Sequence, residues 1–245
     1  LGVWALVIQQ LINQISITII MWLTVRWRPM FAFSFTKSKK LFSFGWKLLV
    51  SSLLNTLYMD LRTVIIGRLY SASILGYYNR GELFPKVIVT NIDSSIQSVM
   101  LPTLSAHQDD RKIVKEMMRR AIVTSSFFIF PMMIGMSVIA ESLVKIVLTE
   151  KWLTAVPFLQ IFCLSYALMP IHTSNLQAIN AIGRSDIFLK LESIKKIVGL
   201  IVLVLSLPFG VYAIALGQVI SGIISTFINA YPNKQLLGYS YKEQL

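Results

Sequence analysis

The 245-residue chain is 55% hydrophobic and only 14% charged, with a mean hydropathy of +0.67 and a formal net charge of +12. That composition excludes a soluble globular class and makes the transmembrane α-helix the default; a β-barrel is excluded too, because the apolar runs are continuous rather than alternating. Nucleic acid as a partner is excluded by where the positive charge sits.

Crossing ~30 Å of hydrocarbon takes about 20 apolar residues. Residues 1–25, 121–140, 152–183 and 197–233 contain no Asp, Glu, Lys or Arg, and the last run is long enough for two helices folded at Pro208-Phe209-Gly210. With two further segments that carry charges, the pattern predicts an all-α, polytopic bundle of about seven spans: 3–25, 44–67, 77–104, 121–140, 156–181, 187–207 and 210–231.

Sixteen of the 23 Lys and Arg residues fall in every other gap: Arg26, Arg28, Lys37, Lys39 and Lys40; Arg111, Lys112, Lys115, Arg119 and Arg120; Arg184, Lys190, Lys195 and Lys196; Lys234 and Lys242. Basic gaps stay in the cytoplasm, so the N-terminus is expected outside. The odd span count, a first residue that is Leu and a start inside an apolar helix imply further helices upstream. No charged stretch precedes the first run, so no cleavable signal is expected.

The first basic gap mixes Phe31, Phe33 and Phe35 with lysines, which suits a membrane-interface anchor contacting lipid headgroups. The second, from Asp109, opens with acids and ends with bases, as a helix feeding the next span does. The third, Ile182-Gly-Arg-Ser-Asp, joins a Gly stop to a Ser/Asp start and predicts a tight turn. Just beyond it Glu192 and Lys196 form an i,i+4 pair. Pro85, Pro102, Pro131, Pro157 and Pro170 fall inside spans, with Pro131 and Pro170 the candidate hinges.

Ionised groups at mid-membrane cost about 2.5–3.5 kcal/mol each on insertion scales, so they need water, one another or a substrate. The second span holds Asn55, Asp60 and Arg62; the third holds Glu82, Lys86, Asn91, Asp93 and Gln97. Asp60 and Arg62 are two residues apart and cannot pair. A hairpin turning near Ala72 brings Arg62 level with Glu82 and Asp60 within about one helical turn of Lys86. Lys86, Thr90, Asp93 and Gln97 share one helix face, a polar stripe expected to line a cavity in preference to gluing helices together. The fifth span adds His172 and Asn175. No Glu-x-x-His motif, Gly-rich phosphate loop or Ser/His/Asp spacing occurs, so neither a metal site, a cofactor nor catalysis is expected.

The blocks Leu75-Gly-Tyr-Tyr-Asn-Arg-Gly-Glu-Leu-Phe-Pro85, Pro157-Phe-Leu-Gln-Ile, Asn180-Ala-Ile-Gly-Arg-Ser-Asp186 and Pro208-Phe-Gly-Val-Tyr resemble the polysaccharide-transporter, or oligosaccharide flippase, family of the multidrug/oligosaccharidyl-lipid/polysaccharide exporter superfamily. The resemblance is to its lipopolysaccharide-biosynthesis, colanic-acid and teichuronic-acid exporter branch. It implies two six-helix lobes around a central cavity that works by alternating access in the bacterial cytoplasmic membrane. Residues 1–40 would be the last helix of the first lobe with the inter-lobe linker, and 41–245 the second lobe, its partner being the rest of the first lobe. The implied substrate is an oligosaccharide on undecaprenyl pyrophosphate, flipped to the outer leaflet. Arg62, Lys86, Asn55, Asp93, Gln97, His172 and Asn175 are then candidate substrate contacts, and Asp60, Glu82 and Asp93 candidate ion-pair or ion-coupling groups. A multidrug exporter of the same superfamily would carry acidic sites without intramembrane cations. A membrane glycosyl polymerase or ligase would carry a long outer loop, and the outer gaps here are short.

Overall fold

The computed structural model describes residues 2–25 and 34–244. Most of the aromatic and basic anchor, including Phe31 and Phe33, therefore lies outside the described residues, as do the side chains of Asn55 and Asp60. The chain divides into two compact units, Leu1–Phe42 and Ser43–Leu245. The first holds helix α1 (Gly2–Thr24), an 18-residue window of which buries nothing; Leu11, Ile12 and Ile20 are among its exposed apolar side chains. It also holds the start of α2 (Phe35–Leu69).

In the second unit α2 turns through Tyr70 and Ser71 into α3 (Ala72–Ala106), with the Ser71 hydroxyl accepting from the Ile74 N–H at 3.2 Å as an N-cap. The turn is where the sequence places it. Helix α4 (Arg111–Val138) opens on Asp110, whose carboxylate accepts from the N–H groups of Lys112 and Ile113. The acidic start thus caps one unbroken helix that includes the following span. A short α5 (Ala140–Leu148) and a 3₁₀ turn (Glu150–Ala155) lead into α6 (Val156–Ala167) and α7 (Met169–Ala181). Gly183, at φ +77°, makes the predicted stop before α8 (Ser185–Ser206). There Arg184 bonds Asp186 at 2.9 Å and holds its carboxyl down to about 2. A 3₁₀ turn (Leu207–Phe209) and Gly210, at φ +93°, fold the chain into α9 (Val211–Leu237), and α10 (Tyr241–Gln244) ends it.

The expected span 156–181 is two helices. Pro170 has no N–H to continue the ladder, and the helix breaks at Leu168 between α6 and α7; α4, by contrast, continues through Pro131. Among the described residues, four helical stretches are long and apolar enough to cross a membrane by composition: Val7–Thr24, Arg111–Val138, Glu150–Ala181 and Val211–Leu237. The long helices α2, α3 and α8 have 35, 35 and 22 residues and carry charges, those of α8 confined to the stretch up to Lys196. A 35-residue helix is about 50 Å long, more than a bilayer's hydrocarbon core.

Apolar side chains point both ways, as a lipid-solvated bundle requires. Phe127, Ile134, Val138, Ile197, Leu205 and Ile220 face outward. Inward, three buried clusters stack along the bundle. Ile66, Tyr78, Phe158, Phe162, Leu203 and Ile214 join α2, α3, α6, α8 and α9. Val89, Ile129, Met133, Leu159 and Cys163 join α3, α4 and α6. Met100, Leu104, Met118, Ile171 and Tyr239 join α3, α4 and α7 to the C-terminal tail. Gly81 permits the closest approach: a Cβ there would lie 2.5 Å from Phe158 Cβ and 2.8 Å from the Leu159 nitrogen.

Candidate functional site

The basic stretch after Gly183 is helical from Ser185 onward, and that bears on where its cations lie. Lys195 and Lys196 stand about 15 Å along α8 from Ser185, inside the helix that the span 187–207 anticipates, although the charge count groups them with the basic gap before it. Phe188, Glu192, Lys195, Lys196 and Gly199 recur at helical spacing and present one face. That face closes a cavity of about 540 Å³ with Arg62 of α2, Ser165 of α6, Met169, His172 and Thr173 of α7, and Gln218, Ser221, Gly222 and Ser225 of α9. The broken helix forms part of the wall, so the first turn of α7, with its partial positive charge, borders the cavity.

Charge in the cavity is organised around α8. Glu192 binds Lys195 in a short contact and Lys196 at 3.9 Å, and its side chain is only 13% exposed. The expected i,i+4 pair is therefore present, but it is a wall of the cavity and not a solvated surface pair. Arg62, 7% exposed, donates to the Gln218 carbonyl, which also accepts from the Tyr78 hydroxyl at 2.9 Å. Tyr78 is in turn set by edge-on contact with Phe162, with ring centroids 5.0 Å apart. Among the described lining residues, three cations accompany one carboxylate.

Arg62 also lines a second cavity of about 400 Å³ between α2 and α3, with Thr63, Tyr78, Asn79, Glu82 and Lys86. Arg62, Glu82 and Lys86 thus come together around one space. Glu82 accepts from the Tyr166 hydroxyl at 2.9 Å, and Lys86 is exposed.

The remaining predicted residues lie elsewhere in the bundle. Asp93 accepts from Thr173 at 2.7 Å and from Gln97 at 2.8 Å, and Gln97 accepts from Gln177 at 2.7 Å. This half of the polar stripe bonds α3 to α7. Asn175, wholly buried, donates to Gln244 at 2.8 Å and accepts from Asn233 at 2.7 Å, which ties α7 to α9 and the tail. His172 does line the large cavity: its Nε2 lies 3.2 Å from Thr226 Oγ1 and its Nδ1 3.1 Å from Asn229 Nδ2. Sequence reasoning passed over Lys195, Lys196, Gln218 and the serines of α9. Among the described residues no three His, Cys, Asp or Glu side chains gather as a metal cluster.

A bundle of long helices with lipid-facing apolar surfaces and charged cavities inside is a polytopic membrane protein. The inward-closed structure of the lipid II flippase MurJ has the same fold, with a TM-score of 0.68 at 16% identity over 86% of this chain and 46% of that one. The chain belongs to the family described as polysaccharide biosynthesis protein, whose model matches residues 1–157. It is 29% identical over 188 residues to the teichuronic acid biosynthesis protein TuaB of Bacillus subtilis (strain 168), covering 76% of this chain and 39% of TuaB. It is 25% identical over 221 residues to the lipopolysaccharide biosynthesis protein WzxC of Escherichia coli (strain K12), covering 89% of this chain and 45% of WzxC. The chain spans less than half the length of these curated relatives.

Proposed function

We propose that this chain supplies one lobe of a transporter that flips an oligosaccharide, linked to undecaprenyl pyrophosphate, across the bacterial cytoplasmic membrane by alternating access, without catalysing a reaction. The observation that carries the reading is the cavity among the helices lined by Arg62, Lys195 and Lys196. A cation held at mid-membrane costs about 2.5–3.5 kcal/mol on insertion scales. One anionic oxygen 4 Å from a cation gains about 4 kcal/mol at an effective dielectric of 20, so a pyrophosphate touching two of them offsets that cost. Serine hydroxyls and Gln218 suit sugar hydroxyls. Basic gaps on the cytoplasmic side set the direction, since an inside-negative potential favours outward movement of an anion by ~2.3 kcal/mol per charge per 100 mV. Membrane lipid and the other lobe are the partners.

The test is transport of fluorescent lipid-linked oligosaccharide by the full-length protein in vesicles. Arg62→Ala and Lys195→Gln are expected to lower the initial rate at least tenfold. Transport at the wild-type rate by both variants would overturn the assignment of the pyrophosphate to this cavity.

A further inference from the structure

One line of buried polar groups on α9 serves neither the core nor the wall facing Arg62. Thr226, Asn229 and Asn233 follow one another at three- and four-residue spacing, are 4%, 0% and 0% exposed, and reach from His172 towards the tail. The carbonyl oxygens Asn229 Oδ1 and Asn233 Oδ1 have no hydrogen-bond partner among the described residues. Native interiors seldom leave such oxygens unpaired without a reason.

The network suits one tautomer of a neutral His172. The Thr226 hydroxyl gives its single proton to the Gly222 carbonyl at 3.0 Å, so at 3.2 Å from Nε2 it accepts. Nε2 therefore carries the ring hydrogen. Asn229 Nδ2 is a donor, so Nδ1 at 3.1 Å accepts. With the ring neutral, both nitrogens are satisfied and the Asn229 carbonyl is left over. If a proton arrives at Nδ1, half a turn of the Asn229 amide replaces the opposing N–H₂ with that unpaired oxygen, which accepts the new N–H. Both charge states of the ring can thus be hydrogen-bonded with one side-chain rotation and no movement of the helices.

We infer that His172 is a proton-binding site of the cavity, switched by rotation of Asn229, and that it takes up one proton when an anion binds. The inference rests on the anion-binding reading of the cavity and deepens it. The groups facing His172 across the cavity are Glu192, Lys195 and Lys196 of α8 and Arg62 of α2, with Asp93 of α3 behind it on the neighbouring Thr173. An imidazolium among these adds a further positive charge beside the incoming anion. By linkage, an anion that binds better to the protonated ring also raises the ring's hold on its proton.

The experiment is titration calorimetry of the full-length protein in uncharged nanodiscs with sulfate, a dianion that does not itself titrate between pH 6 and 8. Measurements are made at several pH values in two buffers of different ionisation heat. Wild-type protein is expected to bind sulfate with buffer-dependent heat corresponding to uptake of close to one proton, and with affinity rising as pH falls, by at most about tenfold per pH unit. In His172→Gln the buffer dependence disappears, and affinity stays at the wild type's high-pH value throughout. In Asn229→Leu, which keeps the ring but removes the rotating acceptor, proton uptake drops by more than half. Sulfate binding by wild type without proton uptake, or uptake that persists in His172→Gln, overturns the proton site and leaves the anion cavity standing. Absence of sulfate binding in wild type overturns the anion cavity itself.

Discussion

Replacing Gly81 with alanine adds one methyl group where there is no room. The new Cβ would sit 2.5 Å from Phe158 Cβ, 2.8 Å from the Leu159 nitrogen and 3.0 Å from the Ala155 carbonyl oxygen. Carbon atoms rest about 3.5–4.0 Å apart, so α3 must withdraw from α6 by roughly 1 Å at this point. Two of the three obstructing atoms are backbone and the third is fixed to it, so no side-chain rotation relieves the clash. Overpacking of this kind costs about 1–3 kcal/mol, and the upper half of that range is expected. The helix-propensity gain of alanine over glycine, about 0.5–1 kcal/mol, offsets only part. Gly135 is the control, since a Cβ there meets nothing within 4 Å; Gly135→Ala should be neutral or slightly stabilising. Reversible unfolding of the purified protein in mixed micelles reads both. A second readout is sulfate affinity, because withdrawal of α3 draws Tyr78 off Gln218, to which it donates at 2.9 Å, and unsettles Arg62. Equal stability of Gly81→Ala and Gly135→Ala would refute the close approach of α3 and α6.

At Gly217 an added Cβ would meet Ser206 Oγ at 2.7 Å and Val202 Cγ1 at 3.1 Å, both ends of side chains. Gly217→Ala should therefore destabilise less than Gly81→Ala, and pairing it with Ser206→Ala should recover most of the loss in the same unfolding assay. Asn175→Leu leaves Gln244 and Asn233, 5% and 0% exposed, without a shared partner; at about 1–3 kcal/mol per stranded group, the unfolding midpoint should fall well below wild type. Glu243 is held below its ordinary value of 4.5 by the Ser240 N–H first and by Lys115, which it meets at 3.1 Å. Its contribution is complete above the ordinary value and is lost as pH falls through the lower folded one. Limited proteolysis should thus find the tail protected at neutral pH and progressively cut under acid. Glu243→Gln should be cut at every pH to a similar extent.

Local backbone signals were legible because each depends on neighbouring residues alone. The cap at Asp110, the stop at Gly183 and the fold at Gly210 all stand where residue chemistry puts them. The two charged helices α2 and α3 were legible from the cost of their charges. Lys195 and Lys196 were counted as gap charges, though the span 187–207 already contained them, because a count along the chain takes no account of helix faces, whereas a face that lines a cavity can carry charges for several turns. The spacing Phe188, Glu192, Lys195, Gly199 held the answer, since it puts Glu192, Lys195 and Lys196 on one face of α8 while Lys190 falls on the opposite, exposed side. Gln218, Ser221 and Ser225 were missed because neutral polar groups barely lower hydropathy. Their three- and four-residue intervals mark a stripe just as clearly. Which partners Asp93 and Asn175 take was beyond the sequence, because Thr173 and Asn233 meet them only through the packing of separate helices.

Cys163 is the chain's single thiol, and it is sealed between α4 and α6 at 2% exposure. Water-soluble maleimides should pass it by, so this chain adds no labelling background of its own to scanning mutagenesis. Thiols introduced one at a time along the outward face of α3, at Thr90, Ser94 and Ser98, would then report by their alkylation rates whether that face is bathed in solvent or in lipid.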